Sequence, residues 1–126
     1  MGQRVKKRFD IYVTEIGAVY SKTFELDKTI SLIHGLVFTA DRDDLLYYRG
    51  TAKIEINREE IFPEGYEIKL LMTGLNVAPD ERFYTIGPLS TGNGKIKVDF
   101  KDNPDNRLAF AAYRVSIYLD CENADT

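Results

Sequence analysis

The chain has no tryptophan, one cysteine and one histidine in 126 residues. A lone Cys121 closes no internal disulfide, so the domain is not built around an oxidising compartment. A single His34 and one distant cysteine make no zinc site without carboxylates supplied by the fold. His34 therefore reads as a hydrogen-bonded group inside a strand. No segment reaches the ~20 consecutive apolar residues of a membrane span. Residues 1–10 are basic and lead into no unbroken apolar run, so a signal-peptide pattern is missing. No Asn-x-Ser/Thr acceptor occurs. These absences lead to the expectation of a chain folded in a cytoplasm and outside the general secretory route.

An excess of basic charge is also missing. Formal net charge is -3 and the isoelectric point is about 5.2. A nucleic-acid binder shows a basic balance, so phosphate-backbone binding is not expected as the main task. What is present is ordinary globular material, 44% hydrophobic and 29% charged, in a length typical of one domain. The aromatics are all Tyr and Phe and make up 12% of the chain, which suits half-buried pleated surfaces.

Period-two alternation dominates. Phe9, Ile11 and Val13 alternate with Asp10, Tyr12 and Thr14, and after a turn at Gly17 the run Tyr20, Lys22, Phe24, Leu26 follows. Further runs are Ala52–Ile54–Ile56, Tyr66–Ile68–Leu70–Met72, Ile96–Val98–Phe100 and Tyr113–Val115–Ile117–Leu119. Each reads as a strand, apolar toward a core and polar toward water. Residues 29–39 fit a helical stripe through Ile30, Ile33 and Val37. They also fit a strand through Ile30, Leu32, His34, Leu36 and Phe38. Gly35 and the β-branched residues favour a central strand.

Turn chemistry separates the runs. Asn93-Gly94 signals a hairpin. Phe62-Pro63-Glu64-Gly65 stops one element before the Tyr66 strand. Residues 76–82, with Pro79, and 102–107, with Pro104, read as loops. Residues 41–45 and 106–112 are expected to form single helical turns. The fold class expected is all-β: a two-sheet β-sandwich, jelly-roll-like, with about eight strands and at most short helical turns. An immunoglobulin-like strand order stays open. The domain organisation expected is a basic N-terminal arm (1–8), the sandwich (9–120) and an acidic C-terminal tail (121–126).

No motif carries catalytic chemistry. Asp41-Arg42-Asp43-Asp44 is dense in oxygen ligands, but Leu46 and Ala52 stand where a calcium loop needs Gly and Glu. It reads as a solvated loop or a helix cap. Gly92-Asn93-Gly94-Lys95 lacks the leading Gly (residue 89 is Leu) and the following Ser/Thr (residue 96 is Ile) of a phosphate loop. Glu59 and Glu60 are adjacent, so in a strand they point to opposite faces. No catalytic residue, metal ligand or cofactor is assigned. An enzyme with a site assembled from distant carboxylates is the least favoured class.

Two features suit protein contacts. Tyr47-Tyr48-Arg49 combines residue types enriched at interface hot spots. Arg4, Lys6, Lys7 and Arg8 form the basic arm, opposite in sign to the acidic C-terminus. These seven residues are the candidate interface.

The blocks Asp27-Lys28-Thr29, 44–50 (DLLYYRG), 62–72 (FPEGYEIKLLM) and 76–84 resemble small virion proteins of tailed phages of Bacteroidota, including the crAss-like group. The resemblance spans residues 26–86, about half the chain. It implies a capsid-associated or head-decoration β-sandwich located in the virion. Its partners would be further copies of itself and other virion proteins, the major capsid protein or portal-vertex neighbours; from the charge balance and the lack of a long apolar run, a membrane partner is not expected and nucleic acid is an unfavoured one. The family supplies no binding residues. The alternative class is a ligand- or carbohydrate-binding adhesion module, although sugar-binding sandwiches often use an exposed Trp.

Overall fold

The computed structural model describes residues 3–72 and 82–123. Eight strands appear: β1 (Arg4–Val13), β2 (Val19–Glu25), β3 (Ile30–Ala40), β4 (Gly50–Ile56), β5 (Glu59–Glu67), β6 (Tyr84–Ser90), β7 (Lys95–Asp102) and β8 (Tyr113–Asn123). They form two four-stranded sheets in the orders β1-β8-β3-β6 and β2-β7-β4-β5. Every pairing is antiparallel. The chain crosses between sheets at every connection except β4–β5. This is the jelly-roll order, and the immunoglobulin-like alternative falls away.

The alternation explains the sandwich. Along β4 and β7 every second residue is buried and its neighbours face water. Ile54, Val98 and Phe100 from one sheet meet Ile11, Leu36, Phe38, Val115 and Leu119 from the other in a single core. Burying one such side chain contributes about 1.5–3 kcal/mol. Of residues 29–39 all but Thr29, which is in a turn, are strand, interior to its sheet, and at Val37 both faces of β3 are covered.

Several local expectations are corrected. Asn93-Gly94 is not a hairpin, because β6 and β7 lie in different sheets. It belongs to an inter-sheet turn closed by the Gly94 amide donating to Thr91 O (2.7 Å). The two-residue hairpin is Asn57-Arg58, with φ of 53° and 65°. Both central residues of this turn type need positive φ, which Arg seldom adopts, so its side chain hid the turn.

Pro63 and Gly65 (φ 81°) sit inside β5 rather than before a strand. Between the Ile54–Phe62 and Ala52–Tyr66 pairs β5 has extra residues, a bulge on an edge strand, where proline is tolerated. The expected Tyr66–Met72 strand ends at Glu67. Ile68–Leu71 is a 3-10 turn that buries Ile68 and Leu71 and leaves Leu70 outside. Its apolar residues match period two and period three equally, and the core took the latter.

The helical turn expected at 41–45 is a two-turn helix, α1 (Asp43–Arg49). Residues 106–112 hold a turn and no helix. The basic residues 4–8 are not an arm. They form the first half of β1, in register with β8 from Arg4 opposite Glu122 onward. The C-terminal residues 121–123 complete β8, and 124–126 lie outside the described residues, as does most of the loop at 76–82.

Candidate functional site

The two ends of the sandwich differ. One end holds short turns at 26–29, 57–58 and 91–94. The other collects the connections 14–18, 41–49 and 103–112, together with the described residues 68–72 and 82–83 that follow β5 and precede β6. Among the described residues the exposed large hydrophobic side chains are Tyr12, Ile16, Val19, Tyr47, Tyr48, Leu70 and Tyr84. Each lies in one of those connections or within two residues of a strand end that meets one. The short-turn end carries none of them.

A buried polar cluster fixes this end. Arg49, the last residue of α1, is 3% exposed and Asp102, at the end of β7, is 0% exposed. Arg49 Nε donates to Asp102 Oδ1 (2.9 Å) and its Nη2 to Oδ2 (2.8 Å). Asp102 also accepts from the Tyr113 hydroxyl (2.8 Å) and the Gly17 amide (3.2 Å). Burial works against the Asp102 carboxylate, but these donors outweigh it and hold its pKa below the usual carboxylate range. Burial, then the hydrogen bond to Asp102, pushes the Tyr113 phenol far up, so it stays protonated. One carboxylate thus ties α1, β7, β8 and the 14–18 connection together.

Above it lies a groove of about 540 Å³ lined by Tyr47, Tyr48, Lys69, Asn103, Asp105 and Arg107. The Tyr47 and Tyr48 rings meet edge to face, 5.0 Å apart. The Arg107 guanidinium lies 4.3 Å from the Tyr48 ring centre and Lys69 Nζ 5.7 Å from that of Tyr47. Asp105 grips Arg107 through two hydrogen bonds, 2.9 and 2.6 Å, and Arg107 brings the Asp105 pKa down to about 2. Both groups are therefore ionised at neutral pH and paired, a poor starting point for proton transfer.

The candidate interface residues part company here. Tyr47 and Tyr48 are exposed at this end. Arg49 is not available for contact, because its charge is consumed inside by Asp102. Arg4 and Lys6 both pair with Asp120, Lys7 with Asp27 and Arg8 with Asp10. Arg4 and Lys6 thus meet the acidic end of β8 within one sheet, while Lys7 and Arg8 are paired elsewhere. His34 Nε2 lies 2.8 Å from Glu122 Oε1, a strand-to-strand contact. Cys121 is free and buried, and burial pushes its thiol up to about 11.

Asp41 accepts from the Arg114 amide of β8, and Asp44 from the Leu45 amide and Arg42, while α1 has Arg42 at its N-cap and no side-chain cap. Among the described residues no group of three His, Cys, Asp or Glu is placed to hold a metal ion. No helix there is long and apolar enough to cross a membrane.

Sequence reasoning missed Asp102, Tyr113 and the apolar residues Ile16 and Val19. Asp102 looked like one more polar loop residue and Tyr113 like one more apolar strand position. Ile16 and Val19, flanking the Gly17 turn outside the alternation, were the legible signal. No family model, curated protein or solved structure matches this chain.

Proposed function

We propose that this domain is a non-enzymatic structural subunit that works by protein–protein contact at its connection-rich end. In the setting its sequence resembles, that is a capsid-associated or head-decoration subunit of a tailed-phage virion, folded in the host cytoplasm. The observation that carries the reading is the segregation of exposed Tyr, Ile, Val and Leu to one end of an otherwise polar sandwich. Apolar surface gathered in one region marks contact sites, and Tyr leads the residue types enriched there. The jelly roll is compatible, since capsid and lectin domains both use it, and fold alone does not choose between them.

The test is to separate a lysate of the source on a density gradient and follow this chain by mass spectrometry. Sedimentation with particles rich in a major capsid protein is expected. A chain that stays at the top of the gradient sinks the virion reading. The second reading is a carbohydrate-binding module, favoured by the groove in which Tyr47 and Tyr48 stand among Asn103, Asp105 and Arg107. It requires glycan binding by a monomer that is lost in Tyr47→Ala.

A further inference from the structure

We infer that the outer face of the β2-β7-β4-β5 sheet and the Tyr47–Tyr48 groove form one elongated site for a neutral, hydroxyl-rich chain, an oligosaccharide of several units. The inference rests on the carbohydrate reading of that groove and gives it a ligand class and a second subsite. A groove of about 510 Å³ crosses the outer face of the sheet, from Ser21 on β2 past Asp99 and Lys101 on β7 and Lys53 on β4 to Glu64 on β5. Thr51 and Asn103 line this groove and the aromatic one alike, so the two halves are continuous. Crossing four strands spans roughly 14 Å. A single sugar ring cannot fill both halves.

Charge is balanced along the site. The sheet half sets Lys53 and Lys101 beside Asp99 and Glu64. In the aromatic half Lys69 is held by Glu67, Arg107 by Asp105 and Arg49 by Asp102. A polyanion such as nucleic acid or a sulfated chain therefore finds no field of one sign. Between the two tyrosines and Val19 the lining side chains are mainly polar, so an acyl chain gains little there.

The site does offer unfilled hydrogen-bonding capacity. Asp99 Oδ1 is buried and has no donor among the described residues, which costs free energy. The last torsion of an aspartate is soft, and a rotation about it presents that oxygen to a hydroxyl in the groove. Asn103 Nδ2 donates to Arg49 O and Thr51 Oγ1, while its Oδ1 has no donor among the described residues, at the junction of the two halves. The Ser21 hydroxyl and the Lys101 ammonium have no partner there either. Acceptors and donors set side by side suit hydroxyl groups, each of which acts as both. A peptide fits less well, because β4 and β7 are interior strands with neighbours on both sides and no free backbone edge. Tyr47 and Tyr48, both exposed, give the apolar face of a sugar ring a surface to pack on.

Isothermal titration calorimetry of the purified full chain with neutral gluco-, manno-, xylo- and galacto-disaccharides and hexasaccharides tests this. One series is expected to bind, the hexasaccharide about tenfold tighter than the disaccharide or more. Asp99→Ala is expected to weaken the hexasaccharide about tenfold, the scale of one hydrogen bond to a charged group. It leaves the disaccharide, held at the tyrosines, unchanged. Arg58→Gln, at the short-turn end, changes neither. Thermal melting confirms that each variant is folded. In the wild type, NMR amide shifts at Ser21 and Asp99 on adding the hexasaccharide report the sheet half without any variant.

A hexasaccharide bound no tighter than the disaccharide, or shifts confined to the Tyr47–Tyr48 groove, overturns the elongated site and leaves the carbohydrate reading standing. Heparin or single-stranded DNA bound in place of every neutral chain overturns the ligand class. If no neutral series binds, the inference and the carbohydrate reading fall together, and the virion reading is untouched because the density gradient decides it.

Discussion

Arg49 and Asp102, 53 residues apart in the chain, share two hydrogen bonds in the interior of the domain, where Arg49 is 3% exposed and Asp102 is fully buried. An ion pair taken from water costs desolvation energy on both sides, so its geometry has to recover that cost. Here the pair is bidentate, and Tyr113 and Gly17 fill further acceptor positions on the same carboxylate.

Breaking the pair from one side strands a buried charge. Arg49→Met and Asp102→Asn are each expected to lose about 3–5 kcal/mol of unfolding free energy. Urea denaturation measures it. The double variant is expected to lose less than the sum, because neither charge is then left unpaired. Additive losses would show that the two side chains do not depend on each other.

The same cluster contributes to both pH limits. Asp102 has a lowered folded pKa, so its contribution is present above the ordinary carboxylate pKa of about 4 and is lost as pH falls through the folded value. Tyr113 has a raised folded pKa, so its contribution is full below about pH 10 and fades above it. Cys121 acts in the same direction, from about 8.5 in the open chain to about 11 when folded. Unfolding free energies across the pH range are expected to show Asp102→Asn flattening the acid limb and Tyr113→Phe flattening the alkaline one. An acid limb unchanged in Asp102→Asn counts against this account.

The basic residues of β1 are expected to behave as strand side chains. Arg4 and Lys6 flank Asp120 across the β1–β8 pair, and their side chains are more than half exposed. Reversing either charge is expected to lower stability by about 0.2–1 kcal/mol, with the effect shrinking at high salt. Thermal melts at two ionic strengths measure it. A reversal without cost at low salt would restore the picture of a free arm.

Gly35 marks the β3 bulge where β6 comes close. A Cβ there would lie 2.9 Å from Tyr84 O and 3.2 Å from Phe83 Cβ. Gly35→Ala is expected to destabilise by about 1–3 kcal/mol, the range for forcing atoms into a packed site. Hydrogen exchange is expected to rise first in β6, which pairs with β3 alone. Uniform loosening of the whole sheet would point to a different cause.

The sequence by itself determined the all-β class, because alternation at Ala52–Ile54–Ile56 and Ile96–Val98–Phe100 has one reading at a period of two. It also determined the apolar content of the core and the absence of a spaced catalytic motif. Only the tertiary structure decided which strands pair. Asn93-Gly94 carries strong turn chemistry, yet a turn's residues do not state whether its strands enter one sheet or two.

Tertiary structure also decided the fate of charge. Arg49 follows two exposed tyrosines and Arg4 opens a basic run, but their partners, Asp102 and Asp120, lie 53 and 116 residues away. Coulomb energy depends on distance in space and on burial, and linear sequence holds neither. The gathering of Ile16, Val19, Leu70 and Tyr84 at one end has the same origin: separated stretches of chain meet only once the strand order closes.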